Sequence, residues 1–186
     1  MRNTLDQAVE LLVAAFRKGG KLLLCGNGGS AADCAHIAGE LAKGFLLRRA
    51  PTDALTEAVA EPWAAALQEG LPAIDLTAPG ALMTAIANDI GGEFVFAQQV
   101  MAYGRPGDVL LGLSTSGNAE NVRRAMLVAK ARGLSTIALT GAGGGKLAAV
   151  SDLLLDVDQR ETYLVQQEHL SLYHALCMRI EKEMFR

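Results

Sequence analysis

The amino-acid sequence predicts an α/β protein with one parallel sheet of about five strands between two layers of helices, a flavodoxin-like three-layer arrangement. Two observations predict it. Apolar strand segments and amphipathic helical segments alternate along the chain, as in proteins with parallel sheets. The strand segment at 22–25 is a continuous apolar run, and the one at 108–113 is apolar after Asp108. Such runs suit strands that are covered on both faces.

The elements can be placed in chain order. An apolar stripe with helical spacing predicts a first helix at residues 4–18. Strands are expected at 22–25, 73–76, 108–113, 136–139 and 153–157, and further helices after residue 29, at 81–90, 93–103 and 118–132, and from 161 to the end. Residues 48–71 carry many alanines, several acids and the only tryptophan. We therefore expect one domain, residues 1–186, with a helical excursion at its surface at about 48–71.

Composition narrows the class of protein. A chain of 186 residues with 51% hydrophobic content can bury the core of one domain. A net charge of −3 gives no general attraction to nucleic acid or to an anionic membrane. The three cysteines follow no CxxC spacing, which favours reduced thiols. No signal-peptide pattern and no apolar run of about 18 residues is found, so we expect a cytoplasmic protein that binds neither nucleic acid nor membrane.

The glycine-rich loop at 26–29, between the first predicted strand and a helix, is the first candidate binding site. Glycine lets the backbone turn sharply and leaves room for a ligand near its N–H groups. Ser30 is expected to cap the helix, and Asp33 to complement its dipole. The loop also fits the loose GxGxxG/A pattern of dinucleotide-binding proteins. The acid that this pattern requires about 20 residues later is missing from residues 46–51, LLRRAP, so we set a nicotinamide cofactor aside.

His36 and Glu40 lie four residues apart on that helix and therefore share a face. An imidazole beside a carboxylate can bind a metal or transfer a proton. The alternatives are an ordinary surface pair or a histidine that is hydrogen-bonded in the core. The chain has three histidines, His36, His169 and His174. All three lie on the two predicted helices that carry polar residues at apolar-facing positions, and this slightly favours a metal or catalytic site over the alternatives.

The segment 114–118, STSGN, is the second candidate site, because it follows a buried strand and precedes a helix. Hydroxyl groups and free N–H groups at the start of a helix can hold a phosphate. A single serine there would simply cap the helix, but three successive hydroxyl residues favour the phosphate. Both loops lie at the carboxyl ends of the strands, where parallel sheets bind ligands. The glycine-rich segment 141–145 has no hydroxyls or acids and is expected to be a flexible turn without a role.

Six segments together resemble the phosphoheptose isomerases, a family of sugar isomerase (SIS) domain proteins, and the resemblance covers almost the whole chain. The segments are Asn27-Gly28-Gly29-Ser30, His36-x-x-x-Glu40, Ala87-Asn88-Asp89, Gly107-Asp108, residues 114–118, and Gln166-x-x-His169-x-x-x-x-His174. The resemblance implies an aldose–ketose isomerase, an intramolecular oxidoreductase that converts sedoheptulose 7-phosphate to D-glycero-D-manno-heptose 7-phosphate. It also implies zinc as the cofactor and a homotetramer with sites at subunit contacts.

The resemblance also assigns roles to individual residues. Glu40 and His174 would be the catalytic base and acid, and zinc would be held by His36, Glu40, Gln166 and His174. The substrate would be bound by Asn27, Gly28, Gly29, Ser30, Glu40, Asn88, Asp89, Ser114, Thr115, Ser116 and Gln166. Two of the metal ligands, Gln166 and His174, are eight residues apart, or about 12 Å along a helix. Either the helix is irregular near Gln166 or one ligand comes from a neighbouring chain.

Three positions depart from the family pattern, because Ala119 replaces a serine and Gly44 and Leu164 replace arginines. The excursion at 48–71 is also longer than the usual link in the family. These departures preserve the phosphosugar class and leave the sugar open. The competing class is a binding protein, since some SIS-domain relatives bind the replication initiator as tetrameric scaffolds without catalysis. A phosphosugar sensor that binds without turnover is a further alternative. In the initiator-binding branch non-catalytic residues replace Glu40 and His174. This chain retains both, which favours the enzyme.

Assembly can be predicted from two helical stripes, Leu5/Val9/Leu12/Phe16 near the start and Leu170/Leu176/Ile180 near the end. Together they exceed what one five-stranded sheet is expected to cover. We therefore expect these stripes to pack between subunits of a tetramer.

Overall fold

The computed structural model describes residues 4–186, and within them five strands form one sheet. The strands are β1 (Leu22–Cys25), β2 (Ala73–Asp75), β3 (Val109–Ser114), β4 (Ser135–Thr140) and β5 (Leu153–Asp156). The α-helices are α1 (Thr4–Arg17), α2 (Gly29–Ala42), α3 (Asp53–Val59), α4 (Gly80–Asp89), α5 (Val95–Tyr103), α6 (Glu120–Ala131) and α7 (Thr162–Phe185). All paired strands are parallel, in the order β2-β1-β3-β4-β5. The predicted fold class is confirmed.

Two apolar cores cover the two faces of the sheet. Successive side chains of a strand point to opposite faces, and β1 divides accordingly. Leu22 and Leu24 pack with α1, α2 and α7, whereas Leu23 and Cys25 pack with α4, α5 and α6. Every residue of β1 is fully buried, which explains its continuous apolar sequence. The three cysteines are buried and free, as predicted.

The strand order creates a crevice between β1 and β3. The chain leaves β1 towards α2 on one face of the sheet and leaves β3 towards α6 on the other. Loops at such a reversal diverge and leave room for a ligand. Both candidate loops, 26–28 and 115–119, therefore lie at the crevice.

The predicted capping role of Ser30 is wrong. The N-cap of α2 is Gly28, at φ 57°, and no side chain caps the helix. Ser30 lies inside the first turn, where it is buried and its N–H donates to the Asn27 carbonyl at 3.0 Å. The left-handed conformation of Gly28 begins the helix before a serine cap could act.

Residues 48–71 contain α3 and a 3-10 turn, Pro62–Ala66. No residue of α3 is buried, and Trp63 is 58% exposed. The segment is nevertheless anchored at both ends, because Arg49 and Leu71 are buried.

The expectation that the stripes of α1 and α7 pack between subunits is wrong. Val9, Leu12 and Phe16 of α1 are buried within the chain's own core, as are Leu176 and Ile180 of α7. The two helices pack on each other, and α1 also packs on β5, so the stripes are already covered. Leu170 is the exception at 40% exposure. Within residues 4–186, no helix combines the length and apolarity needed to span a bilayer.

Candidate active site

A cavity of about 320 Å³ lies at the crevice between β1 and β3. It is lined by Asn27, Gly28, Gly29, Ser30, Leu113, Ser114, Thr115, Ala119, Thr162 and Gln166. Seven of the residues with a predicted substrate role are therefore brought together here. A second cavity of about 180 Å³ is lined in part by Thr115, Ser116 and Arg160.

The two loops are tied together by a pair of amides that the sequence did not reveal. Asn27 and Asn121 exchange hydrogen bonds, and each Nδ2 donates to the partner's Oδ1 at 2.9 Å. This pair joins the glycine loop to the first turn of α6.

The hydroxyl loop has a defined shape before any ligand binds. Ser116 Oγ accepts the Asn118 N–H at 3.2 Å, and Asn118 Nδ2 donates to the Ser116 carbonyl at 2.8 Å. Gly117 adopts φ 65° and approaches the Gly144 carbonyl so closely that no side chain would fit. Segment 141–145 therefore supports this loop, a structural role that the sequence did not predict.

His36, Glu40 and His174 form a polar cluster where α2 lies beside α7. His36 Nε2 is 3.2 Å from Glu40 Oε1 and 3.4 Å from His174 Nε2. The helical period places His36 and Glu40 on one face of α2. The packing of α7 on α2 brings His174 next to them. A carboxylate and two imidazoles at this spacing can exchange protons with a bound substrate.

Tyr173 and Asp33 complete this cluster, and sequence reasoning assigned neither to it. The Tyr173 hydroxyl lies 2.9 Å from His36 Nδ1 and 3.4 Å from Asp33 Oδ1. Burial raises the pKa of Asp33, although His169, Tyr173 and His36 oppose the shift. Asp33 precedes His36 by three residues, so the helical period could have placed it on that face. Nothing local marks Tyr173.

Gln166 lies apart from the histidine cluster. Its side-chain amide is directly against Gly29, where a side chain would overlap it, and it lines the larger cavity. Gly29 precedes His36 by seven residues, or about 10 Å along α2. Because α7 is a continuous helix from Thr162 to Phe185, no local irregularity shortens the distance between Gln166 and His174.

Asn88 and Asp89 lie at the end of α4. They are exposed and bonded to each other, with Asn88 Nδ2 donating to Asp89 Oδ1 at 2.8 Å, and neither lines the larger cavity.

A zinc ion fits part of this arrangement. Among residues 4–186, no group of three or more His, Cys, Asp or Glu side chains is already arranged to hold a metal ion. The donor types nevertheless suit zinc. The separations of 3.2 and 3.4 Å around His36 Nε2 are close to the roughly 3.3 Å between two ligands of a tetrahedral zinc ion. A single chain thus presents two pairs of suitable donor groups, His36 with Glu40 and His36 with His174, without a complete set of zinc ligands.

One of the three departures from the family pattern is explained by its structural surroundings, and a second lies in the cavity. At Gly44 a side chain would overlap the Leu47 carbonyl and Gln68, which belongs to the excursion at 48–71. Part of the excursion therefore occupies the space that a side chain at position 44 would need. Ala119 lines the cavity, so the cavity lacks the hydroxyl group that the family's serine would supply. Nothing in the structure explains Leu164.

Comparison with known proteins points to one family. A sequence model of the SIS domain matches residues 1–141. The phosphoheptose isomerase of Rhodospirillum rubrum is 44% identical over 94% of this chain and 83% of its own length. The structure of the enzyme from Neisseria gonorrhoeae matches at 40% identity with a TM-score of 0.80, over 96% of this chain and 85% of that one. The Francisella tularensis structure matches over the same shares, with 33% identity and a TM-score of 0.81.

Proposed function

Because the chain belongs to the SIS-domain family and resembles its phosphoheptose isomerases over most of its length, we propose that it converts sedoheptulose 7-phosphate to D-glycero-D-manno-heptose 7-phosphate. One observation carries the proposal. A cavity built from glycine and hydroxyl loops adjoins the helix that presents His36 and Glu40, with His174 beside them.

The phosphate of the substrate would occupy the larger cavity. Ser114 and Thr115 line it, as do residues at the start of α2. Hydroxyl groups and the positive end of a helix dipole stabilise an anion without a lysine.

The reacting carbons would lie near Glu40. About 10 Å of helix separates Gly29, at the cavity, from His36. An extended seven-carbon chain reaches across this distance, whereas a three-carbon chain does not. The geometry therefore supports a long sugar phosphate.

The reaction moves a proton from the carbon beside a carbonyl to its neighbour. Glu40 would remove this proton, since its carboxylate is only 16% exposed and faces His36. His174 would donate a proton to the substrate oxygen from the ring nitrogen that does not bind zinc. When bound, zinc would supply a Lewis acid for the carbonyl oxygen. His36, Glu40 and His174 would hold it, with Gln166 as a fourth ligand supplied by a neighbouring subunit.

The direct test is Glu40→Gln, with Glu57→Gln on the exposed helix α3 as the matched control. The amide keeps the shape of Glu40 but cannot act as a base, so turnover should fall by about 10² to 10⁴ while phosphosugar still binds. The control should retain full turnover. Assays would follow product formation and uptake of solvent deuterium by the ketose.

The zinc-loaded wild-type protein decides between enzyme and binding protein. If it incorporates no deuterium into ketose phosphates of five to seven carbons, the isomerase proposal is wrong. Binding of the same sugars without exchange would then support the regulatory alternative.

A further inference from the structure

Tyr173 is almost completely buried, at 1% exposure, and its hydroxyl lies between two polar groups of α2. It is 2.9 Å from His36 Nδ1 and 3.4 Å from Asp33 Oδ1. The Tyr173 ring also packs edge-on against His36, with centroids 5.4 Å apart. The hydroxyl is the part of the side chain that a phenylalanine would lack, and it makes both polar contacts.

The direction of the two hydrogen bonds follows when a metal ion is bound at His36 Nε2. That nitrogen then carries no proton, so Nδ1 carries it and donates it to the Tyr173 oxygen at 2.9 Å. The single hydroxyl proton of Tyr173 is then directed to Asp33 Oδ1. Among residues 4–186 the Tyr173 hydroxyl is the one side chain that bonds to Asp33, and Asp33 Oδ2 is buried without a partner.

Conversely, the hydrogen bond to Tyr173 stabilises the His36 tautomer that binds the metal. If Nδ1–H donates to Tyr173, the neutral imidazole has a free lone pair at Nε2. That lone pair faces Glu40 Oε1 at 3.2 Å, and two facing acceptors repel each other unless a cation lies between them. Metal-bound histidines commonly donate their other N–H in this way, which fixes the tautomer and the orientation of the ring.

We propose that Tyr173 is a positioning residue that passes the hydrogen bond of His36 Nδ1 on to the Asp33 carboxylate, and so holds His36 Nε2 unprotonated and aimed as a metal ligand. This inference rests on the zinc site of the proposed function. It assigns a role to two residues that do not themselves touch the metal or the substrate.

The test compares Tyr173→Phe with Tyr163→Phe, which lies on the same helix but is 62% exposed. Zinc affinity would be measured by competition with a chromophoric chelator, without any assay of turnover. Tyr173→Phe should weaken zinc binding by about 10- to 100-fold, as is typical when a partner of a metal-bound histidine is removed. Tyr163→Phe should bind zinc like the wild type.

A spectroscopic measurement separates positioning from a general structural effect. The chain has only three histidines, so ¹⁵N spectra of histidine-labelled zinc protein can assign each ring. In the wild type the His36 proton should be on Nδ1 and exchange slowly with solvent. In Tyr173→Phe it should exchange faster than in the wild type, beyond any fall in thermal midpoint that comes from leaving Asp33 without its partner.

Asp33→Asn provides a second variant that preserves shape. If the three groups act as one chain, the effect of Tyr173→Phe on zinc affinity should be smaller in the Asp33→Asn background than in the wild type. Full additivity would contradict the coupling.

Two results would overturn the inference alone: zinc bound equally well by Tyr173→Phe and wild type, or a wild-type zinc form with the His36 proton on Nε2. Wild-type protein that takes up no zinc would overturn the metal site of the proposed function, and the inference with it.

Discussion

His169 is a fully buried histidine, and neither of its ring nitrogens has a hydrogen-bond partner. Burial lowers its pKa below the ordinary value, while the Thr140 backbone and the Asp33 and Glu168 carboxylates oppose this shift. The unfolded chain therefore takes up a proton at His169 before the folded protein does. The stabilisation from the neutral ring is complete above about pH 6.5 and is lost as the pH falls towards the lowered pKa.

We therefore predict that metal-free protein loses stability between pH 7.5 and 5.5, and that His169→Gln reduces this dependence. The contribution of one histidine reaches at most about 1.4 kcal/mol per pH unit. Chemical unfolding of both proteins at several pH values would measure it. Parallel stability curves for the variant and the wild type would show that His169 does not cause the dependence.

The connection between α2 and α7 contains a buried ion pair. Arg49 Nε lies 2.9 Å from Glu181 Oε1, and both side chains are almost completely buried. Glu181 also accepts the backbone N–H groups of residues 45–47, and Arg49 donates to the Leu41 carbonyl at the end of α2. Burial alone would raise the pKa of Glu181, but these N–H groups and the guanidinium hold it below its usual range.

Arg49→Leu should therefore destabilise the protein by about 3 to 5 kcal/mol, because Glu181 would remain as an unpaired buried charge. Arg48→Leu is the matched control, since Arg48 is exposed and makes a single bond to the Ala65 carbonyl. Denaturant unfolding would compare the two. If both variants lost a similar amount of unfolding free energy, the buried ion pair would not be the cause.

Helix α2 offers a second comparison, between two of its glycines. Gly39 has open space around it, so Gly39→Ala should stabilise the protein by about 1 kcal/mol through helix propensity. At Gly29 a methyl group would overlap the Gln166 amide. Gly29→Ala should displace Gln166 and weaken phosphosugar binding.

Thermal unfolding and phosphosugar titration would measure both variants. Unchanged sugar affinity in Gly29→Ala would show that the Gln166 position is not needed for binding.

At the scale of the whole molecule, the separation of Gln166 from His174 leads to a prediction about assembly. If neighbouring subunits complete each site, Gln166→Ala and His174→Asn should each lack turnover, yet mixed assemblies of the two should regain part of it. Light scattering should show a tetramer at micromolar concentration. A stable monomer, or mixtures that stay inactive after verified subunit exchange, would contradict shared sites.

The amino-acid sequence by itself determined the sheet, its two covered faces and the edge at which the ligand loops meet. The physical reason is that these features are local: apolar runs mark buried strands, and parallel strands bring their carboxyl ends to one edge. The shared face of His36 and Glu40 is local too, since it follows from the helical period.

Only the tertiary structure decided how α2 lies against α7. The contact of Tyr173 with His36 joins residues 137 positions apart, and that of Arg49 with Glu181 joins residues 132 positions apart. No local spacing encodes such neighbours, because they depend on how two helices pack on the same face of the sheet. The same packing places Gln166 against Gly29 and buries the stripes of α1 and α7, whose apolar residues are visible in the sequence but whose partners are not.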